Sequence, residues 1–248
     1  MNPFMFDNIK SNVAFAKDAQ NQAVFKKETL RNSKALLIGA GGIGSPAALY
    51  LAGMGIGRLD VCDGDTVEVS NLNRQIIYNV GDIGKMKAEA AVNRLIKFAP
   101  DCEFHSIGRF ITDENADEII DGYDIVLLCP DNNKTRLVAN KSCVKKKIPA
   151  ISCGVEMTVG KVYLYVPDKS PCISCILDPT ESKVKNTVSA AAGIVAGFAV
   201  LRAASALCGY TDKAGIMTLI DMKKQIFDNL PMKIKADCPV CGGINNVR

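Results

Sequence analysis

The chain has 248 residues, 48% apolar and 23% charged, with a net charge of +4 from 30 basic and 26 acidic side chains. That is apolar material for one large α/β domain, or one domain with an appended lobe, and the near balance of charge leaves no basic stripe for nucleic acid. The N-terminus lacks a charged-then-apolar leader, and the longest apolar run, 188–201, is short of a bilayer span, so no membrane partner and a cytoplasmic location are expected.

An N-terminal helical arm is expected over 1–30, weakly amphipathic at 14–27. From Lys34 the pattern alternates: strand 35–38, a glycine turn, helix 46–54 with Pro46 in its first turn, and strand 59–62 ending at Asp63. After a polar stretch come helix 85–98, strand 103–107, helix 113–120, strand 125–129, helix 134–146 and strand 150–153. The lysines at 145–147 close that last helix, where cations complement its dipole. Alternation of this kind predicts a Rossmann-like, doubly wound α/β sheet, mostly parallel. Beyond Gly154 an alternating strand at 159–166 and a late hairpin, 215–220 with 225–227, flank the apolar helix starting at Val188, so the sheet is expected to end in antiparallel strands. The division expected is an arm (1–30), an ATP-binding half (31–154) and a substrate-side half carrying a metal (155–248).

Gly39-Ala40-Gly41-Gly42-Ile43-Gly44 joins the first strand to its helix, where backbone amides favour a phosphate. Asp63 follows at a strand end, placed to accept from ribose hydroxyls, which fits NAD and ATP equally. In the segment that follows, Asn71, Arg74 and Lys87 separate the two, because hydride transfer develops no new charge on phosphate. Displacement at the α-phosphate of ATP does need cations. Asp131, just past strand 125–129, is placed to offer magnesium an oxygen, and could instead cap the next helix.

Ten cysteines without an export signal read as reduced thiols. Cys172-x-x-Cys175 and Cys238-x-x-Cys241 read as four ligands of a structural zinc that staples the C-terminus back onto the loop after Val166. The other six, Cys62, Cys102, Cys129, Cys143, Cys153 and Cys208, read as small buried hydrophobes. The single histidine, His105, lies in an expected strand and is given no catalytic role.

Residues 39–57, Asp63-Gly64-Asp65, Ser70-Asn-Leu-Asn-Arg-Gln75, Gly84-Lys-Met-Lys87, Cys129-Pro-Asp-Asn132 and both cysteine pairs together resemble the ThiF/MoeB/HesA family, bacterial relatives of ubiquitin-activating enzymes. The resemblance runs from about Lys34 to Gly243. It implies a homodimeric adenylyltransferase that uses ATP to activate the C-terminal glycine carboxylate of a ubiquitin-like sulfur carrier for thiamine or molybdenum-cofactor synthesis. It further implies that Gly39, Gly41, Gly42, Gly44, Asp63 and Asp65 hold the nucleotide, and that Asn71, Arg74 and Lys87 meet its phosphates. Asp131 is implied as a magnesium ligand, and the paired cysteines as ligands of structural zinc.

Two departures stand out. The stretch 178–189 lacks the cysteine that many members use covalently, and the N-terminal Arg-Tyr-x-Arg-Gln is replaced by a segment in which Phe15 and Lys17 are the nearest stand-ins. Three other readings therefore stay open: the same chemistry on a peptide or small carboxylic acid, a nucleotide-binding module that docks a partner without activating it, and an NAD-dependent oxidoreductase.

Overall fold

A computed structural model describes residues 25–177 and 187–242. A short helix, α1 (Lys27–Arg31), leads into β1 (Lys34–Ile38), α2 (Gly44–Gly53), β2 (Arg58–Cys62), α3 (Lys87–Phe98), β3 (Glu103–Ile107), α4 (Ala116–Ile119), β4 (Ile125–Leu128), α5 (Asn133–Lys145), β5 (Ala150–Glu156), β6 (Val159–Tyr165), α6 (Ser189–Leu207), β7 (Ile216–Asp221) and β8 (Ile226–Pro231). The strands form one eight-stranded sheet in the order β3-β2-β1-β4-β5-β6-β7-β8. The first five run parallel, and β6, β7 and β8 continue antiparallel.

Both faces of the central strands are covered, and the strands' period of two divides their side chains between two cores. Ala35, Leu37, Leu59, Val61, Ile125 and Leu127 bury against α2, α3 and α6. Their neighbours Leu36, Ile38, Cys62, Val126 and Leu128 bury on the other face with Ala116 and Ile119 of α4, Ala139 and Cys143 of α5, and three of the paired cysteines. Parallel strands covered on both sides are why β1 and β4 read as unbroken apolar runs.

Several element boundaries differ from expectation for local reasons. Helix α3 starts at Lys87, not at 85, because Val67 N donates to Lys85 O and Lys87 N to Asp65 O, pairing this segment with 65–67 instead. The helix expected over 113–120 is one turn, Ala116–Ile119. Asn115 accepts from Thr112 N at 2.8 Å and donates to Phe110 O at 2.9 Å, a side-chain turn that competes with helix at its start. Strand β5 runs on to Glu156 because β6 pairs with it along its whole length.

Helix α6 passes through Arg202 to Leu207. Its buried guanidinium donates to Ile216 O at 3.0 Å and Thr218 Oγ1 at 2.6 Å, which is how a charge continues an apolar helix. By length and composition α6 could cross a membrane, but half of its apolar window is buried, against α2, β5 and β6. Residues 14–24, with Phe15 and Lys17, and most of the cysteine-free stretch, 178–186, lie outside the described residues.

Candidate functional site

The carboxyl ends of β1, β2 and β4 open onto a cleft of about 680 Å³. Gly39, Gly41, Gly42, Asp63, Asp65, Asn71, Arg74, Lys87 and Asp131 all line it, so nine of the ten residues expected to meet the nucleotide converge on one space. Gly44 does not line it. A Cβ there would lie 1.8 Å from Gly39 O, so Gly44 lets the first turn of α2 sit directly on the loop. Gly39 itself has φ +89°, and its missing side chain admits the β4 end, where a Cβ would come within 2.9 Å of the Cys129 carbonyl.

Asp63 is held by both oxygens: Ala40 N donates to one at 2.7 Å and Asp65 N to the other at 2.9 Å. Burial pushes its carboxyl above the usual carboxylate range, against the pull of those amides and of Lys87. Lys87 is buried, and its Nζ meets the exposed Asp65 carboxylate at 3.0 Å. That pair holds an ammonium in the cleft wall beside the glycine loop. The Tyr78 hydroxyl donates to Ala40 O at 2.9 Å and lies 3.2 Å from Lys87 O, bridging the loop to the start of α3. Burial raises the Tyr78 phenol, so it stays a donor.

Asn71 closes a one-turn 3-10 helix, its Oδ1 accepting from Glu68 N at 3.2 Å. Arg74 donates to Ser70 O and Asn73 Oδ1, both at 2.9 Å, through one terminal nitrogen, Nη1. At the far wall the helix cap falls to Asn132, whose Oδ1 accepts from Thr135 N at 2.8 Å. Asp131 accepts from Asn132 Nδ2 at 3.1 Å and faces the cleft with its carboxylate exposed.

Sequence reasoning missed Arg136. It is 5% exposed in the cleft floor and donates to the carbonyls of Leu128, Pro130 and Cys153, binding the ends of β4 and β5 together just behind Asp131. Its i+5 offset from Asp131 gives no signal by itself, because a helix arginine usually faces solvent. Cys129 and Cys153, read singly as hydrophobes, are buried 3.3 Å apart on these same strand ends.

On the opposite core, Cys172, Cys175, Cys238 and Cys241 bring their sulfurs within 4.8 Å of one another. The Cys172–Cys238 and Cys175–Cys241 pairs stand at 3.6 Å and Cys172–Cys175 at 4.0 Å. Four thiolates at about 2.3 Å from a tetrahedral metal would lie about 3.8 Å apart, so the donor set and its spacing fit. Burial raises the Cys175 thiol to about 11, whereas backbone amides of Cys241 and Val240 overcome burial and bring Cys238 down to about 7.

A glycine loop, an acid fixed by two amides and buried cations meet at the carboxyl end of a doubly wound sheet, the place where open α/β sheets take their ligands, and the sheet is extended by antiparallel strands and a four-thiol clip. The chain belongs to the ThiF family, whose profile matches residues 11–240. It is 33% identical over 225 residues to the sulfur carrier protein ThiS adenylyltransferase of Escherichia coli K12, covering 88% of this chain and 90% of that protein. It is 36% identical over 221 residues to the adenylyltransferase and sulfurtransferase MOCS3 of Drosophila yakuba; those residues are 86% of this chain but 49% of MOCS3, so the chain spans about half that relative's length. Among solved structures, E. coli MccB with ATP superposes with a TM-score of 0.78 at 24% identity, over 87% of this chain and 68% of MccB, a likeness of fold.

Proposed function

We propose that this chain is an ATP-dependent adenylyltransferase that activates the C-terminal carboxylate of a small ubiquitin-like sulfur carrier protein, forming an acyl-adenylate and releasing pyrophosphate. The observation that carries this reading is the convergence of Asn71, Arg74, Lys87 and Asp131 on the cleft that holds the glycine loop and Asp63. Hydride transfer has no use for such a set, and phosphoryl displacement does.

The substrate carboxylate is already ionised and is itself the nucleophile, so the protein need supply no base. Its oxygen attacks the α-phosphorus, and the bond to the bridging oxygen of pyrophosphate breaks. Asp63 would orient the ribose, and the amides of residues 39–42 with the Asn71, Arg74 and Lys87 donors would take the charge that grows on the phosphates. The Lys87–Asp65 pair keeps the ammonium in place before an anion arrives. Magnesium, commonly held by one or two carboxylates plus substrate phosphates, would find its protein ligand in Asp131, and would supply further neutralisation of phosphate charge. Asp131 suits this because Asn132 takes over the helix cap.

The four-thiol clip would hold zinc as a structural ion, with no ligand position left for chemistry. Residues 31–154 would form the nucleotide half and 155–248 the carrier-facing half, in a homodimer in the cytoplasm, where thiols stay reduced. ATP–pyrophosphate exchange that requires a carrier ending in Gly-Gly is the expected result; exchange absent with every such carrier overturns the substrate. A second reading, a peptide or small carboxylic acid as acyl donor, is favoured by the absence of cysteine from 178–189. It expects exchange with those acids and none with carriers.

A further inference from the structure

Four buried polar side chains line the cleft: Asn71, Gln75, Lys87 and Arg136. Three are tied to the protein: Asn71 to Glu68 and Ser70, Lys87 to Asp65, and Arg136 to the strand-end carbonyls. Gln75 is the exception. It is 4% exposed, its Oε1 is buried with no donor, and among the described residues its Nε2 donates to no protein acceptor.

Its backbone is nonetheless fixed, with Gln75 N donating to Asn71 O at 2.9 Å and its carbonyl accepting from Tyr78 N at 3.2 Å. The amide is therefore delivered to its place by a rigid turn and left without a partner there. That place is the glycine loop: Nε2 is the one atom that a Cβ built on Gly41 would meet, at 3.8 Å, while a Cβ on Gly42 would meet the Arg74 stem at 3.7 Å. Gln75 and Arg74 thus flank two glycines that line the cleft. A phosphate oxygen accepts, so it can pair with Nε2 and not with Oε1; the free donor beside Gly41 is the atom of Gln75 that an anionic ligand can use.

Resting on the adenylation reading, we propose that Gln75 is a further ligand-contacting residue, whose Nε2–H donates to a phosphate oxygen lying on the 41–42 loop. A neutral donor suits this position, because the cations of Arg74 and Lys87 already supply charge and an amide adds direction. The oxygen would lie between the loop and the side chain, on the side where Gly41 carries no Cβ.

The test is titration of ATP with magnesium onto the full chain, with thermal melting of the free protein, for wild type, Gln75→Met and Gln75→Glu. Methionine keeps the size and removes the unpaired polar atoms. Q75M is expected to melt at or above the wild-type temperature and to bind ATP roughly tenfold more weakly. Q75E, which sets a negative charge against the phosphate, is expected to bind more weakly again. Unchanged ATP affinity in Q75M overturns the assignment. If Q75M loses both stability and affinity, Q75E decides: affinity below that of Q75M supports contact with an anion, and affinity equal to or above it overturns the contact. The titration needs no acyl substrate, so failure of every carrier in the exchange assay leaves this result standing. A wild type that binds no ATP overturns the adenylation reading itself, and the Gln75 contact with it.

Discussion

The nucleotide cleft and the cysteine clip gather polar groups in opposite ways. In the cleft, Asp63, Asn71, Lys87 and Arg136 are each held by partners that belong to the protein, so the wall has its shape before any ligand enters. In the clip, four sulfurs from two distant segments face one another at the spacing of a tetrahedral thiolate site. The first arrangement is preorganised. The second joins residues 172–175 to 238–241, and its geometry depends on the two segments staying together.

That contrast can be broken most forcefully at the clip. Cys238→Ser, or stripping of metal by a strong chelator, is expected to lower the melting temperature markedly and to release about one zinc per chain, because metal binding is coupled to folding at such sites. Elemental analysis alongside calorimetry checks it; unchanged stability with no metal in the wild type would remove the clip's structural role. At the cleft, Lys87→Ala or Arg74→Ala should leave melting nearly unaltered and slow pyrophosphate exchange by roughly two orders of magnitude or more, as for other electrostatic donors. Near-normal turnover in either variant sinks its assigned role. The smallest effect is expected from Tyr78→Phe, which keeps the buried ring and loses the hydroxyl bridge between Ala40 O and Lys87 O. A loss of about 1 kcal/mol in stability is expected from denaturant titration. Its ATP affinity should fall by less than tenfold.

Much of the parallel half was legible because its signals are local. The glycine loop, Asp63 at a strand end and the alternation of strand with helix each depend on a few neighbouring residues, and they arrive where expected. The antiparallel turn after Gly154 was legible as a change of period. What could not be read depends on contacts across the fold. Arg136 and Arg202 resemble surface cations in sequence and are buried because carbonyls at strand ends, or Thr218, happen to meet them. Helix 113–120 shrank because Asn115 found the Thr112 amide, a choice that helix propensity does not contain. Gly44 was grouped with the glycine loop by its motif, and only the folded chain shows that a Cβ there would meet Gly39 O. Gln75 passed as the tail of a motif, since only the folded chain reveals that nothing pairs with its amide.

The register of β5 has a further consequence. Its parallel pairing with β4 ends at Ser152, whereas its antiparallel pairing with β6 continues to Glu156. Gly154 and Val155, which line the cleft, are therefore ladder-bonded only to the C-terminal half. In hydrogen exchange these two residues are expected to open together with β6, and exchange rates for Gly154 and Val155 that follow β4 instead would contradict this. One wall of the cleft is thus paired to the part of the chain that carries the cysteine clip, although no cysteine of the clip lines the cleft.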